Sequence, residues 1–290
     1  LSQLRASRPP DEYESLIKAF RAAAPQTYRT LMAMGARSTS ELVWARGALE
    51  RLTLQNEFLW ASLWLKGQAP RVNEFRRVSL AIQSQMLEGN FSLSLKLLDE
   101  YVRTSGWSLW AVELRAALLQ NSQGGASQRA WLAELQSRTV NSIPGVLFQI
   151  FCDRNDDTYS YDAVYAKCMN SFPRFEHIAP WLVDYLKFRA LGHVEDPMSA
   201  LPSVLARDIS SSLIDYYESL VEALCHLESD DSLNELRSDG LAVINALLDY
   251  GYEGHRLSKL RCALSSDFRD GVSVIEMPQP SLEFLYEGST

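Results

Sequence analysis

The sequence predicts an all-α protein, and three observations lead to this fold class. Apolar residues recur three or four positions apart along most of the 290 residues, which places them on one face of a helix. Helix start signals precede many of these segments. Patterns typical of β strands are nearly absent before residue 271. We therefore expect about a dozen helices joined by short turns.

Helical spacing is clearest between residues 78 and 120, where three successive segments each place apolar residues on one face. These residues are Val78, Ala81, Ile82 and Met86, then Leu93, Leu97, Leu98 and Tyr101, and then Leu109, Val112, Ala116 and Leu119. Polar residues occupy the other faces. Three consecutive amphipathic helices are predicted here.

Start signals predict where other helices begin. The N–H groups of the first helical turn have no acceptor within the helix, so proline, which lacks this group, is favoured there. Four prolines occupy such positions: Pro25, Pro144, Pro180 and Pro197. The pairs Ser38 with Glu41 and Ser232 with Glu235 match the capping box, in which the two side chains bond to each other's backbone N–H groups.

Glycine marks the corners between helices. Gly89 follows one amphipathic segment and precedes Phe91 and a run of leucines, so we interpret it as the residue at which the chain turns back. Gly124 and Gly125 mark a second corner 35 to 36 residues later, and residues 251–254 mark a third. The spacing of these glycines therefore predicts repeated helix–turn–helix units.

These units resemble tetratricopeptide repeats over residues 75–138, where two helical hairpins follow each other with nearly the repeat length of that family. The resemblance implies a right-handed array of helical hairpins, an α-solenoid, whose concave face binds peptides or protein segments. On positions equivalent to that face, Gln83, Asn90 and Arg129 are expected to be exposed partner contacts. Trp107, at a helix start, is predicted to be a further exposed anchor.

Charge divides the chain. Residues 1–140 carry 17 basic and 12 acidic residues, a net charge of +5, whereas the remainder carries 11 and 24, a net charge of −13. We predict a basic helical-repeat half at 1–140, an acidic helical half at 141–270 continuous with the first, and an extended tail at 271–290. Within the tail, apolar and other residues alternate in the segment 271–277 (GVSVIEM), and this pattern predicts one short strand.

The sequence contains no recognisable catalytic, metal or cofactor motif. Its four cysteines are widely spaced without a CxxC pair, and its four histidines form no HxxxH or HExxH pattern. Residues 153–157 begin like a calcium loop, but Thr158 and Val164 replace the glycine and glutamate that such a loop requires. We therefore expect that the protein is not an enzyme and that it binds no metal or cofactor.

The sequence therefore favours a non-catalytic scaffold or regulatory adaptor that binds another protein or peptide within a larger assembly. No apolar run is long enough to span a membrane, and a cytoplasmic location is expected. Two alternatives stay open. One is an effector or nuclease-type enzyme with an unrecognised site. The other is a nucleic-acid-binding subunit using Arg71, Arg76 and Arg77, which the sequence pI of 5.2 makes the weaker choice.

Overall fold

The computed structural model describes residues 9–36, 38–39, 42, 53–138, 143–177, 180–192, 194–208 and 212–265. These ranges contain fourteen α-helices, three short 3-10 helices and no β strand. The all-α prediction is confirmed for them. The predicted tail and its short strand lie outside the described residues.

The helices follow one another with short connections. They are α1 (Tyr13–Ala23), α2 (Pro25–Leu31), α3 (Leu54–Leu65), α4 (Ala69–Leu87), α5 (Phe91–Ser105), α6 (Leu109–Gln123), α7 (Gly125–Arg138), α8 (Ile143–Arg154), α9 (Tyr161–Ser171), α10 (Pro180–Leu191), α11 (Pro197–Asp208), α12 (Leu213–Ser229), α13 (Arg237–Asp249) and α14 (His255–Leu264). The 3-10 helices are Pro10–Glu12, Phe172–Phe175 and Asp231–Leu236.

The proline start signals are confirmed. Helices α2, α10 and α11 begin at Pro25, Pro180 and Pro197, and Pro144 is the second residue of α8.

The capping box predicted at Ser232 and Glu235 is not found. Asp230 rather than Ser232 caps the 3-10 helix before α13, because the Asp230 carboxylate accepts a hydrogen bond from Ser232 N at 2.8 Å. Glu41, which completes the other predicted box, lies outside the described residues.

Helix α12 is the centre of the molecule. It packs against α3, α4, α6, α11, α13 and α14, and eleven of its seventeen residues are buried. A helix that is buried on nearly all sides must carry apolar residues around most of its circumference. The buried residues include Ile214, Leu220 and Ala223, which are spread over about half of the helix circumference. Six of the other thirteen described α-helices therefore pack around this one.

Helices α4 to α8 form a layered section in which each helix packs against the next. A second apolar cluster fills the space between α4, α5 and α6, built from residues such as Ile82, Leu98 and Leu118. Phe91 and Met86 pack at its edge. The three helices predicted from the spacing are confirmed. Helix α6 buries all four of its predicted residues, whereas Ala81 on α4 and Leu93 on α5 are exposed.

The later helices close back onto the earlier ones. Helices α11 and α13 pack against α3, and Tyr252 OH donates to Leu65 O at 2.8 Å. Asn73 bonds to the loop before α14 through Gly251 O at 2.8 Å and Glu253 N at 2.9 Å. In an open repeat array each unit contacts only its neighbours. These contacts between distant segments therefore do not confirm a solenoid as the overall arrangement.

The corner at Gly89 has the predicted form. Gly89 has φ of 76°, and its N–H donates to Met86 O at 2.9 Å while Asn90 N donates to Gln85 O at 2.8 Å. These two bonds define a Schellman motif, which ends a helix with a left-handed residue. Gly251 ends α13 in the same way, with φ of 84°. The glycines are structural corners between paired helices.

We predict that Gly89→Ala lowers the free energy of unfolding by about 1 kcal/mol, because a left-handed conformation is costly for a residue with a Cβ atom. No heavy atom lies within 4 Å of the added Cβ, so the cost is conformational rather than steric. Urea unfolding measures it, with the exposed Ser84→Ala in the same helix as the control. Equal stability of the Gly89→Ala variant and the native chain would contradict the assigned corner.

Candidate functional site

A buried carboxylate from α12 caps α6. Asp215 is completely buried, and its side chain accepts hydrogen bonds from Leu109 N at 2.9 Å and Trp110 N at 3.2 Å. Ser212 Oγ donates to the same carboxylate at 2.8 Å. A negative charge at a helix N-terminus is stabilised by the unpaired N–H groups and the helix dipole. This contact fixes the start of α6 against α12.

A second buried carboxylate joins α10, α11 and α12. Asp208 accepts from Arg189 Nη2 at 2.8 Å, from Tyr185 OH at 2.7 Å and from Ser219 Oγ at 2.6 Å. Burial raises the pKa of Asp208 above its ordinary value, against the opposing effect of Arg189. Burial also disfavours the charge on Arg189, but Asp208 outweighs it and the pKa of the guanidinium lies above its ordinary value. The pair therefore holds Arg189 in one position.

A cleft of about 420 Å³ lies between α6, α8, α10 and α12, next to the residues that bond to Asp215 and Asp208. Apolar side chains form much of its wall, and charged side chains from all four helices enter it. The lining residues are Leu109, Trp110, Glu113, Phe151, Arg154, Phe188, Arg189, Leu191, Gly192, Glu218, Ser219 and Glu222. Its position among four helices and its mixed lining are typical of a ligand site.

Most charges in the cleft are paired within the chain. Arg154 Nη1 lies 3.0 Å from Glu113 Oε1 and donates to Ala190 O at 2.9 Å. Glu222 is bound by Arg256 of α14 at 2.7 Å. Glu218 differs, because its closest ion-pair contact among the described residues is Arg256 at 4.0 Å. One carboxylate of the cleft is thus weakly paired.

The surroundings of Glu218 raise its pKa. Burial is the largest cause, and the charge of Glu222 on the same helix acts in the same direction, while Arg256, Arg76 and Arg189 oppose it. The side chain is 33% exposed, so water still reaches the carboxyl group. Within the described ranges no group of three or more His, Cys, Asp or Glu side chains is placed to hold a metal ion.

Two of the predicted partner-binding residues lie near the α4–α5 corner. Gln83 is exposed on α4, and Asn90 is exposed at the position that precedes α5. The Asn90 side chain donates to Gln85 Oε1 at 3.0 Å and Glu88 Oε2 at 3.1 Å. Both residues are accessible, and Asn90 also stabilises the corner.

The other two predicted residues lie elsewhere. Arg129 on α7 is 64% exposed and pairs with Asp156 at 3.4 Å. Trp107 is partly buried rather than fully exposed: its backbone pairs with Ala36 through two hydrogen bonds of 2.6 Å, and its ring lies 5.8 Å from the guanidinium of Arg115. In the part of the chain that is described, no hydrogen bond, ion pair or ring contact joins any two of Gln83, Asn90, Trp107 and Arg129. Their role in partner binding stays a prediction.

The three arginines of the nucleic-acid alternative each contact an acceptor of this chain. Arg71 donates to Met32 O at 2.7 Å, Arg76 donates to Glu253 O, and Arg77 pairs with Glu74 at 3.1 Å. Arg76 is partly buried, whereas Arg71 and Arg77 are exposed. These contacts give the arginines structural roles without testing nucleic-acid binding.

The cleft residues were not predicted from the sequence. Glu218 and Glu222 stand four residues apart on α12, a spacing that places both on one helical face. This was the one available signal, but nothing in the sequence indicates that α6, α8 and α10 lie opposite them.

Comparison of the chain with protein-family models, curated proteins and solved structures finds no match. The tetratricopeptide resemblance therefore rests on the residues quoted for it and stays a prediction. No helix among the described residues is long and apolar enough to cross a membrane.

We predict that Asp208→Asn lowers the free energy of unfolding by about 3–5 kcal/mol, since it leaves the charge of Arg189 buried without a counter-ion. Urea unfolding measures the loss. Glu74→Gln breaks the exposed pair with Arg77 and serves as the control, with an expected change below about 0.5 kcal/mol. A loss below about 1 kcal/mol for Asp208→Asn would show that the buried pair is not formed.

We predict that Glu218→Gln is more stable than the native chain at neutral pH. A carboxyl group whose pKa is raised in the folded state binds its proton more tightly there than in the unfolded state. Its ionisation opposes folding, so the native chain loses stability as pH rises from the ordinary value of 4.5 through the raised pKa.

Urea unfolding of both chains between pH 3.5 and 7.5 tests this sign. The stability difference should grow as pH rises from about 4.5 to the raised pKa, and it should stay constant above that pKa. A difference independent of pH would contradict the raised pKa. Glu176→Gln, an exposed carboxylate outside the cleft, is the control.

Proposed function

We propose that the protein is a non-catalytic interaction subunit that binds another protein along the α4–α5 hairpin. The observation that carries the proposal is a set of exposed leucines on this hairpin. Leu80 is 59% exposed, Leu87 is 87% exposed and Leu93 is 45% exposed. Single exposed leucines are common on protein surfaces, but three on one hairpin form an interaction surface that a partner can cover.

The arrangement of the leucines favours a helical partner. Leu80 and Leu87 are seven residues apart on α4, so they lie on one face about 10.5 Å apart along the axis. Apolar residues seven positions apart on a partner helix have the same spacing and can pack beside them. Burying each leucine contributes about 1.5–3 kcal/mol. Two such contacts supply a substantial share of the binding free energy of about 8 kcal/mol that corresponds to a micromolar Kd.

Charges at the two ends of this row specify the partner further. Arg77 stands one turn before Leu80, and Glu88 directly follows Leu87. We propose a partner helix with an acidic residue near Arg77 and a basic residue near Glu88, since complementary charges fix the orientation of an interface. Gln83 lies between the leucines on the same helix and Asn90 lies beyond them, where both can form hydrogen bonds at the edge.

The repeat prediction has a limited place in this proposal. Helices α4 to α7 form two successive hairpins, and this section supports the tetratricopeptide-like interaction unit predicted for residues 75–138. Membership of a larger assembly follows from the same proposal. The cytoplasmic location and the absence of catalysis stay predictions.

Photo-crosslinking tests the proposal directly. A photoreactive amino acid replaces Ser84, which is exposed between Leu80 and Leu87, and the full chain is irradiated in its native cells. We expect one cross-linked protein, whose purified form binds the purified chain. Leu87→Glu should weaken this binding at least 10-fold, because it places a charge in the apolar contact.

Met198→Glu is the matched control, since Met198 is 43% exposed on the distant helix α11. Equal weakening by both variants, or none by Leu87→Glu, would contradict the proposed surface. Cross-links to a second copy of this chain alone, or to nucleic acid alone, would also overturn the proposal of another protein as the partner.

A further inference from the structure

The cleft between α6, α8, α10 and α12 has the size and lining of a small-molecule site. Its volume of about 420 Å³ falls within the range of about 300–1,000 Å³ found for ligand pockets. Trp110, Phe151 and Phe188 supply aromatic surface, and Leu109 and Leu191 supply aliphatic surface. An apolar group of several carbon atoms can therefore be removed from water here.

The floor of the cleft is held rigidly. Ser219 is almost completely buried and donates to Asp208, which also binds Arg189. Asp215 fixes Leu109 and Trp110 at the start of α6. A site whose walls are held by buried hydrogen bonds needs little ordering when a ligand enters, which favours binding.

The charges of the cleft select the kind of ligand. Arg154 is bound to Glu113 and Ala190 O, and Arg189 is bound to Asp208, so neither guanidinium is free for an anion. Three carboxylates line the cleft: Glu113, Glu218 and Glu222. Glu113 is paired with Arg154 and Glu222 with Arg256, so the weakly paired charge is that of Glu218. An anionic ligand would be repelled by this charge, and a neutral apolar ligand would give it no closer counter-ion.

Glu218 is the carboxylate available to a ligand. Its closest ion-pair contact is 4.0 Å from Arg256, which at 2.7 Å is bound to Glu222 instead. The other charged groups near Glu218 are Arg76 of α4, which donates to Glu253 O, and Arg189. No side chain among the described residues donates a hydrogen bond to Glu218.

We propose that this cleft binds an organic cation, a single ammonium or guanidinium group on an apolar stem, with Glu218 as its counter-ion. The stem occupies the aromatic and aliphatic surface, and the aromatic rings also attract a nearby cation. The cation can belong to a free small amine or to a lysine or arginine side chain of another protein. The shared chemistry is the charged group and its stem.

Saturation-transfer NMR titrations with pentylamine as the probe test the proposal. Pentan-1-ol and pentanoate are matched neutral and anionic probes of the same chain length. We expect pentylamine to bind at least 5-fold more tightly than pentan-1-ol, and pentanoate not to bind. Glu218→Gln should remove this preference for the amine. Glu176→Gln, outside the cleft, should preserve it.

A second titration separates the two sources of the cation. N-acetyl-lysine methylamide represents a side chain of a protein, and the norleucine equivalent is its uncharged control. Tighter binding of pentylamine than of the lysine compound assigns the site to a free amine, and the reverse assigns it to a protein side chain. Either order supports a cation site, provided that Glu218→Gln weakens the binding.

Two results would overturn the proposal. One is equal binding of pentylamine and pentan-1-ol to the native chain. The other is an unchanged affinity for pentylamine in Glu218→Gln, whose folding is checked by circular dichroism and by its urea unfolding curve. This test is independent of the α4–α5 surface, because Leu80, Leu87 and Leu93 do not line the cleft.

Discussion

The fold depends on hydrogen-bond partners for the polar groups of one buried helix, α12. Helix α12 lies among six other helices, yet Asp215 on it is completely buried. A buried carboxylate without partners costs several kcal/mol, so α12 can occupy this position only when its polar groups are paired. The N–H groups at the start of α6 supply the partners for Asp215. Ser219 is paired in turn with Asp208 of α11. The same bonds determine which helices face one another across the cleft.

Local features of the fold could be predicted from the sequence because they depend on neighbouring residues. Apolar spacing predicted α4, α5 and α6, proline predicted the first turns of four helices, and glycine predicted the corner at Gly89. Each of these signals acts within one or two helical turns. The closure of α11 and α13 onto α3 depends instead on contacts between residues nearly 190 positions apart, such as Tyr252 with Leu65. Periodicity identifies the apolar face of a helix, but it does not identify which helix covers that face.

The same distinction applies to the predicted site residues. Gln83, Asn90 and Arg129 were expected to be exposed because their positions are equivalent to the concave face of a tetratricopeptide array, and they are exposed. Trp107 was expected to be an exposed anchor because it precedes a helix, but a bridge to Ala36 and the nearby Arg115 keep it partly buried. The cleft combines residues from α6 to α12, and Leu109 and Asp215 are 106 residues apart. No short motif describes such a site, since its geometry arises only after the chain has closed.

The two proposed surfaces differ in their physical character. The α4–α5 surface has an excess of apolar area, so its binding energy would come from removing leucines from water. The cleft has a carboxylate without a close counter-ion, so its selectivity would come from charge. Helix α4 lies between them: Arg76 is near Glu218 on one side, and Leu80 and Leu87 are exposed on another.

Coupling between the sites would require α4 to have two arrangements that both ligands distinguish. The bonds from Asn73 and Arg76 to the loop before α14 hold α4 in one arrangement. We therefore expect the two proposed sites to bind their ligands independently.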